Sequence, residues 1–573
     1  MRLPGLLLTL TMLGSASAST VLAPALSDRG NARNGPQIAA ETDRPSYSLY
    51  APGEPVAVNF DVTGLAPGQA TSLALVVRDD ADRQIASASL PLRADAAGEA
   101  HATYAAPHPR LGYYAVSARL PDGSTIMGEG TRPDGIVTYG VLPDPALRRD
   151  FGAARSRFGL QGGFNRKVSV LPWLGVRYVL GAGSWTRRTP LSPGLPMAEQ
   201  PGPANGRRSV LAASAGAPSY DGKPWNVYPI AIVGSNNLPE WAVRPGSEGT
   251  VCKQAGALGP EGQKAFPAYA EQLARIFVAD YPDQSPRIYQ ITWEPEQKWC
   301  FGGSAEDLVT FYRLVHDVIH RVDPNALVAG PTLFPQPEST RQLGQLWDAG
   351  LRRYIDAFAL HPYPGGVPAE RFGMPRELER QLAAIPDGQG IPFLGTEHGA
   401  DSDRDGLIGK ATEDLHKTLM MLGHGALLDV GFYVADYWVA ANGPHGKGRD
   451  TQGFFFNLNG AMPYGTDRLG PKPLVPAYAA MTQLLDGSDG RGRLAGLTGT
   501  QNGYRFVRGG MTVDAVWDYG TPANSQPAAG QAGSRWPVRA GARLCDWMGN
   551  CRPASTSFVT LGQRPVYIVT GTP

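Results

Sequence analysis

The sequence lacks a hydrophobic run that could cross a membrane, because no stretch beyond the first residues approaches the about 18–20 apolar residues that a spanning helix needs. It also lacks a strong charge of either sign. The 52 Lys and Arg residues balance 51 Asp and Glu residues, which leaves a formal net charge of +1. This balance gives no electrostatic case for a nucleic-acid partner or an acidic membrane surface.

Several catalytic signatures are missing as well. There is no His-Glu-x-x-His motif, no glycine-rich loop that would cradle a phosphate, and no Gly-x-Ser-x-Gly elbow. His316 and His320 are four residues apart on a predicted helix. No third ligand is evident in the sequence, and surface histidines explain the pair equally well. We therefore expect neither a metal nor a cofactor.

The N-terminus has the pattern of a secretory signal peptide. Arg2 supplies the positive start, residues 6–13 form a short apolar core, and Ala16-Ser17-Ala18 fits a small-residue cleavage site. The pattern predicts cleavage after Ala18 and a secreted or periplasmic protein. No cysteine lies near this site, so a lipoprotein is not expected.

Cysteine is scarce, with four residues in the whole chain. In an exported protein these suggest disulfides. Cys545 and Cys551 are close enough to close a local loop, and Cys252 would then pair with Cys300. Four cysteines nevertheless allow three connectivities.

With 573 residues the chain is too long for one core, and its patterns indicate three domains after the signal peptide. Residues 40–135 show short strands between turns and no helical period, which predicts an immunoglobulin-like β-sandwich. Residues 140–480 alternate strands with helices, and residues 481–573 contain strands again, which predicts a C-terminal β-sandwich module.

The middle region has eight strand candidates across about 300 residues, which is the count and length of a TIM barrel, a (β/α)8 fold. A helix is clearest at 305–322, where apolar residues fall on one face and Ser304 is the N-cap. The strand candidates are 158–162, 175–180, 227–233, 288–293, 326–329, 355–360, 391–396 and 430–434.

One segment of this region, 181–225, is rich in Pro, Gly, Ser and Ala and has little periodicity. A loop of this length inside a compact domain is usually functional or disordered. We expect it to wall one side of a cleft, with Trp185 or a neighbour in contact with substrate.

Two of the strand candidates lead into a glutamate. Glu294 lies between Trp293 and Pro295, and Glu397 follows the apolar run that begins at Ile391. Since proline has no N–H for a sheet ladder, Glu294 is expected to be the last side chain on its strand. Two carboxyl groups at the ends of two barrel strands are the parts of a glycoside hydrolase site.

With these glutamates in place, the chain resembles the clan A retaining glycoside hydrolases, most closely family 39 and its exopolysaccharide-hydrolase relatives. The resemblance covers about residues 140–480. The matching segments are 174–179, 238–241, 293–295, 322–324, 361–363, 396–399 and 437–438. It implies that Glu294 is the acid/base and Glu397 the nucleophile, that Tyr363 hydrogen-bonds the nucleophile, and that Trp438 floors the sugar site.

The sequence departs from that clan at two positions, with Trp293 where the clan has Asn and Leu180 where it often has Arg. We expect an oligosaccharide or polysaccharide substrate from plant wall or bacterial exopolysaccharide. The alternative is a glycan-binding or polysaccharide-export accessory protein on the same barrel. The sequence does not fix the oligomeric state. The expected substrate contacts are Trp185, Trp241, Trp293, His361, Tyr363, His398, Tyr437 and Trp438.

Overall fold

The computed structural model describes most of the chain after its N-terminal segment. The described residues are 35–161, 168–182, 225–234, 238–250, 255–295, 298–363, 366, 368–386, 390–437, 449–458, 468–521 and 534–572. The predicted signal peptide, Trp185, Cys252 and Trp438 lie outside these residues, together with most of the segment 181–225. Within the described ranges, no helix is both long and apolar enough to cross a membrane.

Residues 37–141 form two β-sheets that share one apolar core. The strands are β1 (Gln37–Thr42), β2 (Leu49–Tyr50), β3 (Ala57–Thr63), β4 (Ala70–Asp79), β5 (Gln84–Arg93), β6 (Ala100–Ala105), β7 (Gly112–Arg119) and β8 (Val137–Val141). Their orders are β1-β3-β6 and β2-β8-β7-β4-β5. Phe60 of one sheet and Leu75 of the other belong to the same buried cluster. In β3 every second residue is buried, as expected for a sheet with one face on a core.

The central region is a closed barrel of eight parallel strands, which confirms the predicted barrel. The strands are β9 (Phe158–Gln161), β10 (Tyr178–Ala182), β11 (Tyr228–Ile232), β12 (Arg287–Gln290), β13 (Ala326–Leu333), β14 (Ala357–Leu360), β15 (Phe393–His398) and β16 (Asp429–Tyr433). Each pairs with the next, and β16 pairs with β9 to close the ring. Because all eight run the same way, their carboxyl ends meet at one rim.

Helices cover the outside of the barrel. They are α1 (Leu171–Leu174), α2 (Pro260–Asp280), α3 (Ala305–Val322), α4 (Pro337–Asp348), α5 (Met374–Ala383), α6 (Ser402–Gly423) and α7 (Leu474–Leu485). Helix α3 begins as predicted, since the Ser304 side chain accepts from Asp307 N–H and the Asp307 carboxylate accepts from Ser304 N–H. Such a capping box contributes about 1 kcal/mol. The buried face of α3 carries Leu308, Phe311 and Ile319.

The remaining strands lie after the barrel. They are β17 (Phe455–Asn457), β18 (Leu469–Pro471), β19 (Asp489–Arg493), β20 (Gln501–Arg508), β21 (Met511–Asp518), β22 (Arg535–Pro537), β23 (Arg543–Cys545), β24 (Cys551–Pro553), β25 (Phe558–Thr560) and β26 (Val566–Thr570). Six of them form a sheet in the order β19-β20-β21-β26-β23-β24. The predicted disulfide between Cys545 and Cys551 is confirmed and joins β23 to β24.

A buried polar cluster connects the N-terminal sheets to the barrel. The Thr131 hydroxyl donates to Asp436 Oδ2 at 2.8 Å, and Lys472 Nζ donates to Asp436 Oδ1 at 2.6 Å. The backbone of Thr131 pairs with that of Asn457, whose N–H also donates to the Thr131 hydroxyl. Gly130 approaches the Asn457 carbonyl so closely that any side chain would overlap it. Burial raises the pKa of Asp436 to about 6 despite the Lys472 ammonium.

Candidate active site

Glu397 lies in β15, near the carboxyl end of the strand, and is buried. The Tyr363 hydroxyl donates to Glu397 Oε1 at 3.2 Å. The amide of Gln161, the last residue of β9, interacts with the same carboxyl group and favours its charged form. Among the described residues, Oε2 of Glu397 has no hydrogen-bond partner. One oxygen is therefore held by the protein, and the other is free for chemistry.

Glu294 differs from the sequence expectation, because β12 ends at Gln290 and Glu294 is not the last side chain of a strand. Its backbone has φ +33°, an uncommon value for a residue other than glycine. The physical reason is its N–H, which donates at 2.7 Å to the Thr332 hydroxyl of β13 instead of to a strand neighbour. Backbone strain of this kind costs about 1–3 kcal/mol and is concentrated at functional sites.

His361 is the hydrogen-bond partner of the Glu294 carboxyl group. Its Nδ1 lies 2.7 Å from Glu294 Oε1, and its Nε2 lies 3.1 Å from the Thr396 hydroxyl. The ring is fully buried. Trp293 packs edge-on against it, with 5.1 Å between ring centroids. The indole therefore fixes the imidazole, and the imidazole fixes the carboxyl group.

The two glutamates are close neighbours. One carboxylate oxygen of Glu294, one of Glu397 and a ring nitrogen of His361 all lie within 4.8 Å of one another. Retaining glycosidases place their two carboxyl groups about 5–5.5 Å apart, whereas inverting enzymes need about 6.5–9.5 Å to admit a water. The 4.8 Å limit on the distance between the two carboxylate oxygens is nearer to the shorter spacing than to the longer one.

The electrostatics of the pair follow from this closeness. Burial raises the pKa of Glu397 well above its usual range, and the charge of Glu294 raises it further. The Tyr363 hydrogen bond acts in the opposite direction and lowers the pKa of Glu397. Burial and the two nearby glutamates also raise the pKa of Tyr363, so this hydroxyl stays a neutral donor.

A buried ionic cluster supports the segment after β14 that carries Tyr363. The Gly366 N–H donates to both oxygens of Glu413 on α6, and Glu413 pairs with Lys417 at 2.9 Å. Lys417 Nζ also donates to the Gly399 carbonyl at 3.0 Å and lies 5.6 Å from the centroid of the Tyr363 ring. Removing one member of a buried ion pair typically lowers the free energy of unfolding by about 3–5 kcal/mol. The pair of Glu413 and Lys417 therefore holds the segment that carries Tyr363 in place.

The other predicted substrate contacts lie at different distances from the two glutamates. Trp293 is beside the carboxyl pair through His361. Tyr437, beyond β16, donates to Asp450 Oδ2 at 3.2 Å, and the charge of Asp450 contributes to the raised pKa of Glu397. Trp241 is half-buried and packs against the main core.

His398 is not beside the carboxyl pair. Its side chain points out of the barrel, where Nε2 lies 2.7 Å from Asp429 Oδ2 and 3.0 Å from the Thr418 hydroxyl of α6. The reason is the two-residue period of a strand, which places the side chains of Glu397 and His398 on opposite faces of β15. The predicted sugar contact of His398 is therefore replaced by contacts with Asp429 and Thr418.

Sequence reasoning missed three polar residues that shape the site. Gln161 and Asp450 act on Glu397, and Thr332 fixes the backbone of Glu294. For Gln161 a signal existed, because a polar side chain at the carboxyl end of a barrel strand faces the catalytic rim. Thr332 and Asp450 meet the glutamates only through the folded loops.

Among the residues that the structure describes, two groups of side chains have donor atoms spaced closely enough to hold a metal ion. One is Glu294 with His361 and Glu397, and the other is His316 with His320 and Asp356 on the far side of the barrel wall. In the first group, each carboxyl group already has a hydrogen-bond partner in the protein. The partner of Glu294 is His361, and that of Glu397 is Tyr363. Both carboxyl groups are therefore hydrogen-bonded within the protein.

Comparisons with known proteins agree on the fold. No family model matches the sequence, and no curated protein matches it significantly. The structure is similar to a family 39 glycoside hydrolase from the gut symbiont Bacteroides cellulosilyticus WH2, with TM-score 0.61 and 14% identity over 92% of this chain and 100% of that one. The catalytic domain of the GH30 xylanase C from Talaromyces cellulolyticus is matched at TM-score 0.45 and 13% identity over 74% of this chain and 99% of that one. The first of these two structures supports the expected fold, a barrel like that of a family 39 glycoside hydrolase.

Proposed function

We propose that this protein is an exported glycoside hydrolase that cleaves a polysaccharide with retention of anomeric configuration. One observation carries the proposal. The carboxyl groups of Glu294 and Glu397 lie together at the carboxyl rim of a closed eight-stranded barrel, with oxygen atoms within 4.8 Å. Barrel enzymes place their active sites at this rim.

In the first step, Glu397 reacts as the carboxylate, the form that the hydrogen bonds from Tyr363 and Gln161 favour. Its Oε2 attacks the anomeric carbon, and a new C–O bond forms as the glycosidic C–O bond breaks. Glu294 gives its proton to the leaving oxygen, so the departing sugar is a neutral alcohol. The Tyr363 hydroxyl holds Oε1 of Glu397 in place. Because the carboxyl group is planar, this hydrogen bond also fixes the direction of Oε2.

In the second step, Glu294 is ionised and takes a proton from water. The hydroxide attacks the anomeric carbon, the sugar leaves Glu397, and both glutamates regain their starting state. His361 can follow the change in the protonation of Glu294 by changing tautomer. Its Nδ1 donates to Glu294 when the carboxyl group is ionised and accepts from it when it is protonated. The Thr396 hydroxyl can donate to or accept from Nε2, so it suits both tautomers.

The proposed substrate is a plant-wall or bacterial exopolysaccharide, and the proposed location is secreted or periplasmic. The proposed layout is a signal peptide at 1–18, an immunoglobulin-like sandwich at 40–135, the barrel domain at 140–480 and a C-terminal β-sandwich module at 481–573. The shared core of the N-terminal sheets and the six-stranded C-terminal sheet support this division.

A second candidate is a protein that binds glycan without cleaving it, such as a polysaccharide-export accessory. It is favoured by Trp293 and Leu180, which stand where the clan has Asn and often Arg. Leu180 is fully buried and therefore offers no polar contact to a sugar.

The deciding experiment is a screen of the purified protein against aryl glycosides and exopolysaccharides, with proton NMR of the first product formed. Retention, together with loss of turnover in Glu397→Gln, supports the hydrolase. An inverted product refutes the assigned mechanism. Binding of a glycan without any turnover by the unmodified protein favours the accessory role.

A further inference from the structure

A second polar cluster lies away from the glutamates, on the outer wall of the barrel. His316 and His320 are one turn apart on α3, with 4.6 Å between ring centroids. The sequence shows only this pair, but the fold adds Asp356, the residue immediately before β14. Asp356 is 36 positions beyond His320, so no local sequence motif indicates that the two residues are in contact.

The three side chains converge through the atoms that bind metals. His320 Nε2 lies 2.7 Å from Asp356 Oδ2, and His316 Nε2 lies 3.6 Å from Asp356 Oδ1. One donor atom from each residue falls within 4.8 Å of the others. Around a tetrahedral ion with bonds of about 2.0–2.2 Å, ligand atoms are about 3.3–3.5 Å apart. Small side-chain rotations reach that spacing.

Neighbouring groups orient these ligands. His316 Nδ1 lies 2.9 Å from Asp317 Oδ1, and an N–H donated there leaves the lone pair of His316 on Nε2, which faces Asp356. The Val328 N–H donates to Asp356 Oδ2 at 2.9 Å and fixes the carboxylate. A histidine whose second nitrogen donates to a carboxylate is the usual outer support of a metal site.

The cluster is reachable from solvent, because the three side chains are between 19% and 27% exposed. It is also at the opposite end of the barrel from the glutamates. Asp356 precedes β14, whereas His361 and Tyr363 follow the same strand. An ion here would connect the last turns of α3 to the start of β14 without touching the catalytic rim.

We propose that His316 Nε2, His320 Nε2 and the Asp356 carboxylate bind a divalent transition-metal ion of the zinc type. Two imidazoles and a carboxylate form a ligand set that zinc accepts, and water completes the fourth position. The ion is structural, because it crosslinks a helix to a strand far from the carboxyl pair.

The test uses the mature protein, stripped with a chelator and titrated with Zn²⁺ by calorimetry and with Co²⁺ by visible absorption. One ion per chain is expected, together with Co²⁺ bands and a higher melting temperature. His316→Gln and His320→Gln should each weaken binding more than about tenfold. Both variants should keep the chelated protein's melting temperature and its glycan turnover.

The matched control is His101→Gln. His101 also pairs with an aspartate, with Nδ1 2.6 Å from Asp61 Oδ1, but it belongs to neither of the groups whose donor atoms converge in the described residues. Its variant should bind metal like the parent. A Glu294→Gln/Glu397→Gln variant removes the other possible site.

Three outcomes overturn the proposal. These are no binding of Zn²⁺ or Co²⁺ at millimolar concentration, equal binding in the parent and in both histidine variants, or binding lost only in the glutamate variant. The first would mean that the cluster is an ordinary ion-pair group. The first two outcomes do not bear on glycoside hydrolysis, which is read from product formation.

Discussion

His361 Nδ1 lies 2.7 Å from Glu294 Oε1, and this hydrogen bond joins the loops that follow β12 and β14. Both side chains are almost fully buried, so neither group exchanges this partner freely with water. The state of the acid/base is therefore coupled to the tautomer of one imidazole.

Replacing His361 tests this coupling. His361→Ala leaves the buried Glu294 carboxyl group without this hydrogen-bond partner, which costs about 1–3 kcal/mol, so kcat/KM should fall about 10- to 100-fold. The loss should be larger for glycosides with poor leaving groups, because they depend on protonation by Glu294. Kinetics with a series of aryl leaving groups measures it. An equal loss across the series would indicate a structural role only.

The two glutamates should respond differently to azide. Glu397→Ala should abolish turnover, and azide should restore it as a glycosyl azide of inverted configuration. Glu294→Ala should spare the first step for good leaving groups, with azide accelerating the second. Product NMR distinguishes the two azides. Glu261→Ala, an exposed glutamate on α2, is the control, and azide rescue of neither variant would contradict the assigned roles.

The acid limb of the pH–rate profile should move in opposite directions in two variants. Tyr363→Phe removes a hydrogen bond that lowers the pKa of Glu397, so the limb should shift to higher pH. Glu294→Gln removes a neighbouring charge that raises the pKa of Glu397, so the limb should shift to lower pH. Kinetics of kcat/KM on an activated aryl glycoside reports both. Shifts of the same sign would argue against the pairing.

Asp486 provides a stability prediction. It is buried after α7 and accepts the Arg157 N–H at 2.8 Å, and burial raises its pKa to about 6. Because the pKa of Asp486 is higher in the folded state than in the unfolded state, its proton stabilises the folded protein. This stabilisation is fully present below the unfolded-state pKa and is lost as the pH rises toward 6. The free energy of unfolding should therefore fall by about 2 kcal/mol between pH 4 and 6 through this group.

The measurement for Asp486 is urea unfolding across that pH range. Asp486→Asn keeps an oxygen for the Arg157 N–H and should lack this component of the pH dependence. Asp283→Asn, at an exposed position, is the control and should behave like the parent. An unchanged pH dependence in Asp486→Asn would contradict the assignment.

The pairing of Cys252 with Cys300 remains a prediction. Cys300 is buried next to the loop that carries Glu294, and its N–H donates to the Glu294 carbonyl at 3.0 Å. A closed loop of this size contributes roughly 4 kcal/mol in the chain-entropy model. Peptide mapping without reduction should find the crosslinked pair, and free thiols at both positions would contradict it.

Local patterns predicted the barrel well, because strands and helices each have a sequence period. All eight strand candidates correspond to barrel strands, and the Ser304 cap begins α3 where expected. The end of β12 was predicted too late. The run from Ile288 to Trp293 is rich in β-branched and aromatic residues, which predicts a strand. The Thr332 hydroxyl accepts the Glu294 N–H, however, and nothing in the local sequence reveals that contact.

The candidate site was predicted in part for the same reason. Glu397 lies in a strand whose pattern is visible in the sequence. Asp450 acts on Glu397 from a distant part of the chain, and Asp356 likewise approaches the two histidines from a distant part, so the sequence does not show either contact. His398 shows the converse. Its position next to Glu397 suggested a shared role, but the alternation of β15 separates the two side chains.

The contact between Thr131 and Asp436 has a consequence for exchanging parts between related proteins. The hydroxyl of Thr131, from the N-terminal sheets, completes the polar shell of a buried carboxyl group beyond the last barrel strand. A chimera with a foreign N-terminal region would remove the Thr131 hydroxyl from Asp436, and a side chain at position 130 would overlap the Asn457 carbonyl. Segments 128–135 and 450–458 must therefore be transplanted together.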